Sequence, residues 1–170
     1  MREGTMLLDT LHFSFTVSSI ERSIAWYRDV LGLDLVHRQR QENAYTPLLV
    51  GIPGAVLEIA QFRVPGVSPG RSTHMLELVE YVAPRGEVER GPATNEVGAA
   101  HLAFLVDDVR ERYERMTAAG VAFRNPPVEI TEGANRGGMA AYLHDPDGIT
   151  LELLQPSPAR LAAMRAGAVR

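Results

Sequence analysis

The sequence predicts an α+β fold made of two tandem β-α-β-β-β modules. The first observation is a repeat, because His12 opens HFSFTV and His101, 89 positions later, opens HLAFLV. Self-similarity at a fixed offset indicates a duplicated supersecondary unit. The second observation is that each copy contains several short alternating segments and a single helical stripe. Together they favour one domain built from a duplicated unit.

The composition is that of an ordinary globular protein, with 170 residues, 45% hydrophobic and 22% charged. A net charge of -4 without any Lys/Arg cluster argues against nucleic acid or an anionic membrane as the partner. The absence of cysteine excludes disulfides, thiolate metal ligands and a catalytic thiol. No long apolar run and no signal-peptide core are present, so we expect a cytoplasmic protein.

In the first module, alternating apolar and polar residues predict a strand over 11–17, with its phenylalanines in the core and His12 on the opposite face. The next helix is capped by Ser18 or Ser19. Residues 39–55 fit either a short helix or an extended loop. Further strands are predicted over 33–38, 55–64 and 75–81.

The second module repeats this plan after residues 82–98, which are rich in Pro, Gly and charge and which we interpret as a linker. Asp107 or Asp108 caps its helix, and DPDG predicts a turn before the last strand. Its strands are predicted over 102–106, 121–123, 140–143 and 149–154. We expect a single domain over 9–156, made of module 9–82 and module 99–156, followed by a helical C-terminal tail over 157–170.

Each module offers one histidine on its first strand and one glutamate on its last. Both glutamates stand between two leucines in LEL, so they point away from the leucine face and toward the face of the histidines. If the two sheets join so that these faces line one cleft, four side chains meet there: His12, Glu77, His101 and Glu152. Singly, each has an ordinary structural explanation, but matching positions in both modules favour a shared site.

Two imidazoles and two carboxylates offset the charge of a divalent metal ion, which makes burying the carboxylates less costly. Such mixed N/O ligation suits Zn, Ni, Co, Mn or Fe(II). Four protein ligands leave two octahedral positions open for water or a small-molecule substrate. The expected cofactor is therefore a divalent metal ion.

The phrases HFSFTV, HLAFLVDD, SIAWYRDVLGL and DPDGITLEL resemble the vicinal oxygen chelate superfamily over roughly residues 9–156. This superfamily includes glyoxalase I, methylmalonyl-CoA epimerase, extradiol dioxygenases and bleomycin-resistance proteins. The resemblance implies a curved eight-stranded half-barrel sheet around a metal cleft, and it places the family's ligands at the same four residues. The sequence also favours a homodimer, since the tail and the apolar faces of the edge strands offer contact surfaces.

The segment AVLEIAQF also matches the family's first ligand strand, which would make Glu58 the ligand in place of Glu77. Symmetry with the DPDG hairpin favours Glu77, because Glu77 and Glu152 both stand in LEL after a Pro/Gly turn. Glu58 would then face the same cleft from the neighbouring strand. There it is either an acid/base group, as in methylmalonyl-CoA epimerases, or a surface carboxylate.

The resemblance implies a metal-dependent lyase, isomerase or epimerase that acts through an enolate on a small carbonyl or acyl-CoA substrate. Glu152 or Glu58 would be the base. An Fe(II) extradiol ring-cleavage dioxygenase is one alternative, although a fourth protein ligand disfavours it. A non-catalytic binding or resistance protein of the same fold is another, although such proteins lack the four ligands.

Overall fold

The computed structural model describes residues 10–67, 75–87 and 92–167. They form two compact units, one ending at residue 87 and the other beginning at residue 92 of the described chain. The elements of the first unit are β1 (His12–Thr16), α1 (Ile20–Asp29), β2 (Asp34–Gln41), α2 (Tyr45–Val50), β3 (Val56–Arg63) and β4 (Met75–Ala83). Those of the second are β5 (Leu102–Leu105), α3 (Val109–Ala118), β6 (Val128–Glu129), β7 (Met139–His144), β8 (Thr150–Gln155) and α4 (Pro158–Arg165). The predicted α+β fold with a repeated β-α-β-β-β plan is confirmed.

Each unit has one four-stranded open sheet in which its first and last strands pair in parallel. The strand order is β1-β4-β3-β2 in the first sheet and β5-β8-β7-β6 in the second. The remaining neighbours are antiparallel. The strand that contains LEL therefore lies inside each sheet: β4 lies between β1 and β3, and β8 lies between β5 and β7.

The helix of the first unit packs on the leucine face of its sheet. Tyr27 of α1 and Phe62 of β3 are both fully buried, and their ring centroids lie 5.9 Å apart. Phe62 is the cross-strand partner of Leu76, so both side chains lie on the face that α1 covers. Because burying a large aromatic side chain stabilises a fold by several kcal/mol, this face is the core of the first unit.

The helix caps follow the predicted alternatives. Ser19 caps α1 by accepting from the N–H of Arg22, and Asp108 caps α3 by accepting from the N–H of Glu111. Gly32 follows α1 with a φ of 74°, a left-handed conformation that glycine adopts at little cost. Residues 39–55, which fitted either a short helix or an extended loop, contain the helix α2, and the C-terminal tail contains α4.

Two expectations about strands are wrong. Phe13, expected in the core, is 47% exposed, because within the described residues β1 pairs only with β4 and lies at the edge of its sheet. The predicted strand over 121–123 is reduced to a single bridge between Phe123 and Leu143. Pairing stops at residues 125–127, where two prolines lack the N–H that a sheet ladder needs. Among the described residues, no helix is both long enough and apolar enough to cross a membrane.

Candidate metal site

The first unit brings His12 and Glu77 together on one face of its sheet. His12 Nε2 lies 3.7 Å from Glu77 Oε1. Ser14, two residues after His12, is the cross-strand partner of Glu77, so all three side chains point to the same side. The Glu77 side chain is 14% exposed. An imidazole nitrogen and a mostly buried carboxylate at this distance are the donor types of the predicted mixed N/O ligand set.

The second unit repeats this arrangement with His101 and Glu152. His101 Nε2 lies 3.2 Å from Glu152 Oε2, and the Glu152 side chain is 12% exposed. Ala103 occupies the position of Ser14, as the cross-strand partner of the glutamate. The duplication seen in the sequence is therefore also a duplication of side-chain geometry.

The spacing within each pair fits coordination of one ion by both members. Two ligand atoms that each lie about 2.1 Å from one ion are separated by about 3.0 Å at an octahedral angle and about 3.4 Å at a tetrahedral one. The observed separations of 3.2 and 3.7 Å lie close to this range. Among the described residues of either unit, no group of three or more such side chains is assembled. A site made of all four residues stays a prediction.

Two residues outside the predicted set contact the carboxylates. Gln61 of β3 is the cross-strand partner of Glu77 and donates from Nε2 to Glu77 Oε2 at 2.8 Å. Tyr142 of β7 is the cross-strand partner of Glu152. Burial, the charge of Glu152 and a hydrogen bond to that carboxylate raise the pKa of Tyr142 above its ordinary value. The repeat could have identified both residues, because Gln61 in QFRVPG and Tyr142 in YLHDPDG stand at corresponding positions before the Pro/Gly segment of each module.

Glu58 lies on the opposite face of the sheet from Glu77, so the expectation that it faces the same cleft is wrong. Its cross-strand partner is Glu80, whereas the partner of Glu77 is Gln61, three residues further along β3. An odd separation along a strand reverses the face. The carboxylate of Glu58 is instead paired with Arg40 at 3.1 Å and with Arg38 at 3.8 Å.

The Glu77 face also has an apolar part, which lies further along the same strands. Leu57, Ile59 and Val79 are buried together there, and Val50 and Tyr81 pack against them. Val50 is the last residue of α2, so the C-terminal end of this helix packs against the apolar part of the face. The polar pair and the apolar cluster are thus neighbours on one surface of the first unit.

The model of the Glyoxalase/Bleomycin resistance protein/Dioxygenase superfamily matches residues 10–153 of this chain. The chain belongs to this superfamily. It is 31% identical over 147 residues to a 2-epi-5-epi-valiolone epimerase of an Actinomyces species, covering 84% of the chain and 76% of that enzyme. It is 27% identical over 150 residues to a probable lactoylglutathione lyase of Vibrio cholerae, covering 85% of the chain and 88% of that protein.

Solved structures of the superfamily share the fold. A glyoxalase family protein from Bacillus cereus superposes with a TM-score of 0.76 at 22% identity, covering 92% of this chain and 99% of that one. The trypanothione-dependent glyoxalase I of Leishmania major gives a TM-score of 0.57 at 21% identity, covering 95% of this chain and 99% of that one. At these identities the likeness concerns the fold alone.

Proposed function

We propose that this protein is a metal-dependent epimerase, isomerase or lyase that removes a proton next to a carbonyl group of a small substrate. The proposed metal ligands are His12, Glu77, His101 and Glu152. The observation that carries this proposal is the matched geometry of two His–Glu pairs, each on the face of its sheet away from the buried leucines. The relatives named above, an epimerase and a probable lactoylglutathione lyase, support the same reaction class.

A bound divalent ion would act as a Lewis acid on the substrate carbonyl and make the neighbouring C–H more acidic. The chain then has to supply the base. We assign this role to Glu152, whose side chain is largely buried and belongs to one of the two pairs. It would take the proton as the C–H electrons form the enolate, and the return of a proton to carbon would complete the reaction. Return to the opposite face gives epimerisation, and return to the neighbouring carbon gives isomerisation.

Glu58 is not part of this proposal. It lies on the other face from Glu77 and is held by two arginines. The preference for an acyl-CoA substrate depended on a second acid/base group at Glu58, so that preference is lost. A small carbonyl compound with oxygens on adjacent carbons, which can bind one ion through both, is the substrate class we favour.

The test combines metal analysis with hydrogen exchange at carbon. Purified wild-type protein should contain or take up a stoichiometric divalent ion. In deuterated water it should then exchange the acidic C–H of a substrate drawn from 2-epi-5-epi-valiolone, methylglyoxal with glutathione, and methylmalonyl-CoA. Glu152→Ala should abolish exchange, and Glu58→Ala, the matched control, should retain it. Metal-replete protein that exchanges none of these substrates would contradict the proposed reaction class.

The alternatives give different results in the same assays. Iron together with dioxygen uptake on catechols would indicate a ring-cleavage dioxygenase. Protein that takes up no divalent ion would indicate a binding or resistance protein. The homodimer and the cytoplasmic location stay predictions.

A further inference from the structure

In both units the residue directly across the sheet from the paired glutamate has a polar side chain that reaches it. Gln61 stands opposite Glu77, and Tyr142 stands opposite Glu152. Directly opposed side chains in an antiparallel pair are about 5 Å apart at Cβ, close enough for such contacts. The position is conserved between the units while the residue type differs.

In the first unit, Glu77 is held at both oxygens. Gln61 donates to Oε2 at 2.8 Å, and Ser14 Oγ donates to Oε1 at 3.5 Å. Oε1 is also the oxygen nearest His12. The two donors fix the rotation of the carboxylate, so that Oε1 stays directed toward the imidazole.

In the second unit, Tyr142 contacts both members of the pair. Its ring meets the ring of His101 edge to face, with centroids 5.3 Å apart and an interplanar angle of 74°. Its phenol group interacts with the carboxylate of Glu152. Ala103, at the position of Ser14, has no hydroxyl to offer. In the second unit, Tyr142 therefore takes the place that Ser14 and Gln61 have in the first.

We infer that Tyr142 is a positioning residue that fixes the orientation of the His101 ring relative to the carboxylate of Glu152. The ring restricts the rotation of the imidazole, and the phenol extends from the position directly across the sheet from Glu152, on the side of its carboxylate. This inference rests on the proposed metal site, since it concerns how the second half of that site is preorganised. Partners that orient metal ligands typically contribute 10- to 100-fold to metal affinity or activity.

The test replaces the phenol of Tyr142 in two ways. Tyr142→Phe removes the O–H and keeps the ring, whereas Tyr142→Gln restores a donor of the kind that Gln61 supplies. Tyr113→Phe is the matched control, because Tyr113 packs against Phe123 in the same unit, with ring centroids 4.8 Å apart. Affinity for Zn²⁺ and Mn²⁺ is measured by competition with a chelator, and circular dichroism checks that each variant is folded.

Tyr142→Phe should bind both ions about 10- to 100-fold more weakly. Its kcat should fall further than its KM rises, since the substrate still binds while the carboxylate is misplaced. Tyr142→Gln should recover part of the affinity, and Tyr113→Phe should match wild type. Wild-type affinity in Tyr142→Phe, or an equal loss in Tyr142→Gln, would overturn the positioning role of the phenol.

A second measurement separates this inference from the proposed function. In metal-free protein, NMR of the histidine rings should show that Tyr142→Phe shifts the signals of His101 and leaves those of His12 in place. Unchanged His101 signals would overturn the inference. If the wild-type protein binds no divalent ion and Tyr142→Phe still shifts the His101 signals, the proposed function is overturned and the positioning role is supported.

Discussion

The side chain of Glu80 accepts a hydrogen bond of 2.7 Å from the backbone N–H of Ile20, the first residue of α1. In the second unit, Gln155 accepts one of 3.0 Å from the N–H of Val109, the first residue of α3. Each acceptor follows its LEL glutamate by three residues, so it points to the opposite face. In each unit, the strand that contains LEL thus carries the candidate site carboxylate on one face, and on the other face a side chain that hydrogen-bonds the first N–H of the helix.

This relationship predicts the effect of changing Glu80. Glu80→Ala leaves the buried N–H of Ile20 without its acceptor and should lower the free energy of unfolding by about 1–3 kcal/mol. Glu80→Gln should cost less than about 1 kcal/mol, because Gln155 performs the same task with an amide, and the lost charge contributes only through the helix start and a pair with the exposed Arg85. Urea denaturation measures both. Equal losses in the two variants would show that the charge, which also pairs with Arg85, dominates.

The choice between Glu77 and Glu58 is testable by metal content. Glu77→Ala removes a carboxylate 3.7 Å from His12 Nε2 and should abolish stoichiometric binding of a divalent ion. Glu58→Ala removes a carboxylate paired with Arg38 and Arg40 and should bind metal as wild type does. Elemental analysis of dialysed protein gives the answer. Full occupancy in Glu77→Ala together with loss in Glu58→Ala would reverse the assignment.

The proposed joint use of both His–Glu pairs predicts that neither suffices alone. His12→Ala and His101→Ala should each weaken metal binding by at least about 10-fold, since each removes a direct ligand and partners that merely orient one already contribute that much. The double variant should bind no measurable ion. Isothermal titration with Zn²⁺ measures all three, with His37→Ala on the exposed strand β2 as the control. Unaltered affinity in either single variant would show that the two pairs do not share one ion.

Gly138 is predicted to tolerate no side chain. A Cβ there would lie 2.3 Å from the backbone oxygen of Gln155 and 2.9 Å from that of Asn135, so the end of β8 would have to move. Gly138→Ala should therefore destabilise the protein by several kcal/mol, as overpacking against rigid backbone does. Gly86→Ala is the matched control, because no atom of the described residues lies within 4 Å of its added Cβ. Thermal melting of the two variants makes the comparison, and equal melting temperatures would contradict the crowding at Gly138.

Strand parity and the repeat were enough to predict much of the candidate site from the sequence. Alternation is local, so the leucines of LEL fix the face of Glu77 and Glu152 wherever their strands pair. The 89-residue offset likewise predicted a histidine at the start of the first strand of each unit, and His12 begins β1 while His101 directly precedes β5. His12 with Glu77, and His101 with Glu152, are brought together within their units as expected.

The register between strands was decided by the tertiary structure. Whether Glu58 shares a face with Glu77 depends on how β3 aligns with β4 across the Pro/Gly-rich segment that joins them, and local alternation does not fix that alignment. The same register selects Gln61 and Tyr142 as partners of the carboxylates. The sequence by itself therefore determined which face of each strand carries the chemistry, because side-chain direction alternates with every residue. Only the folded sheet decided which residues stand opposite one another, because pairing is set by contacts between segments distant in the chain.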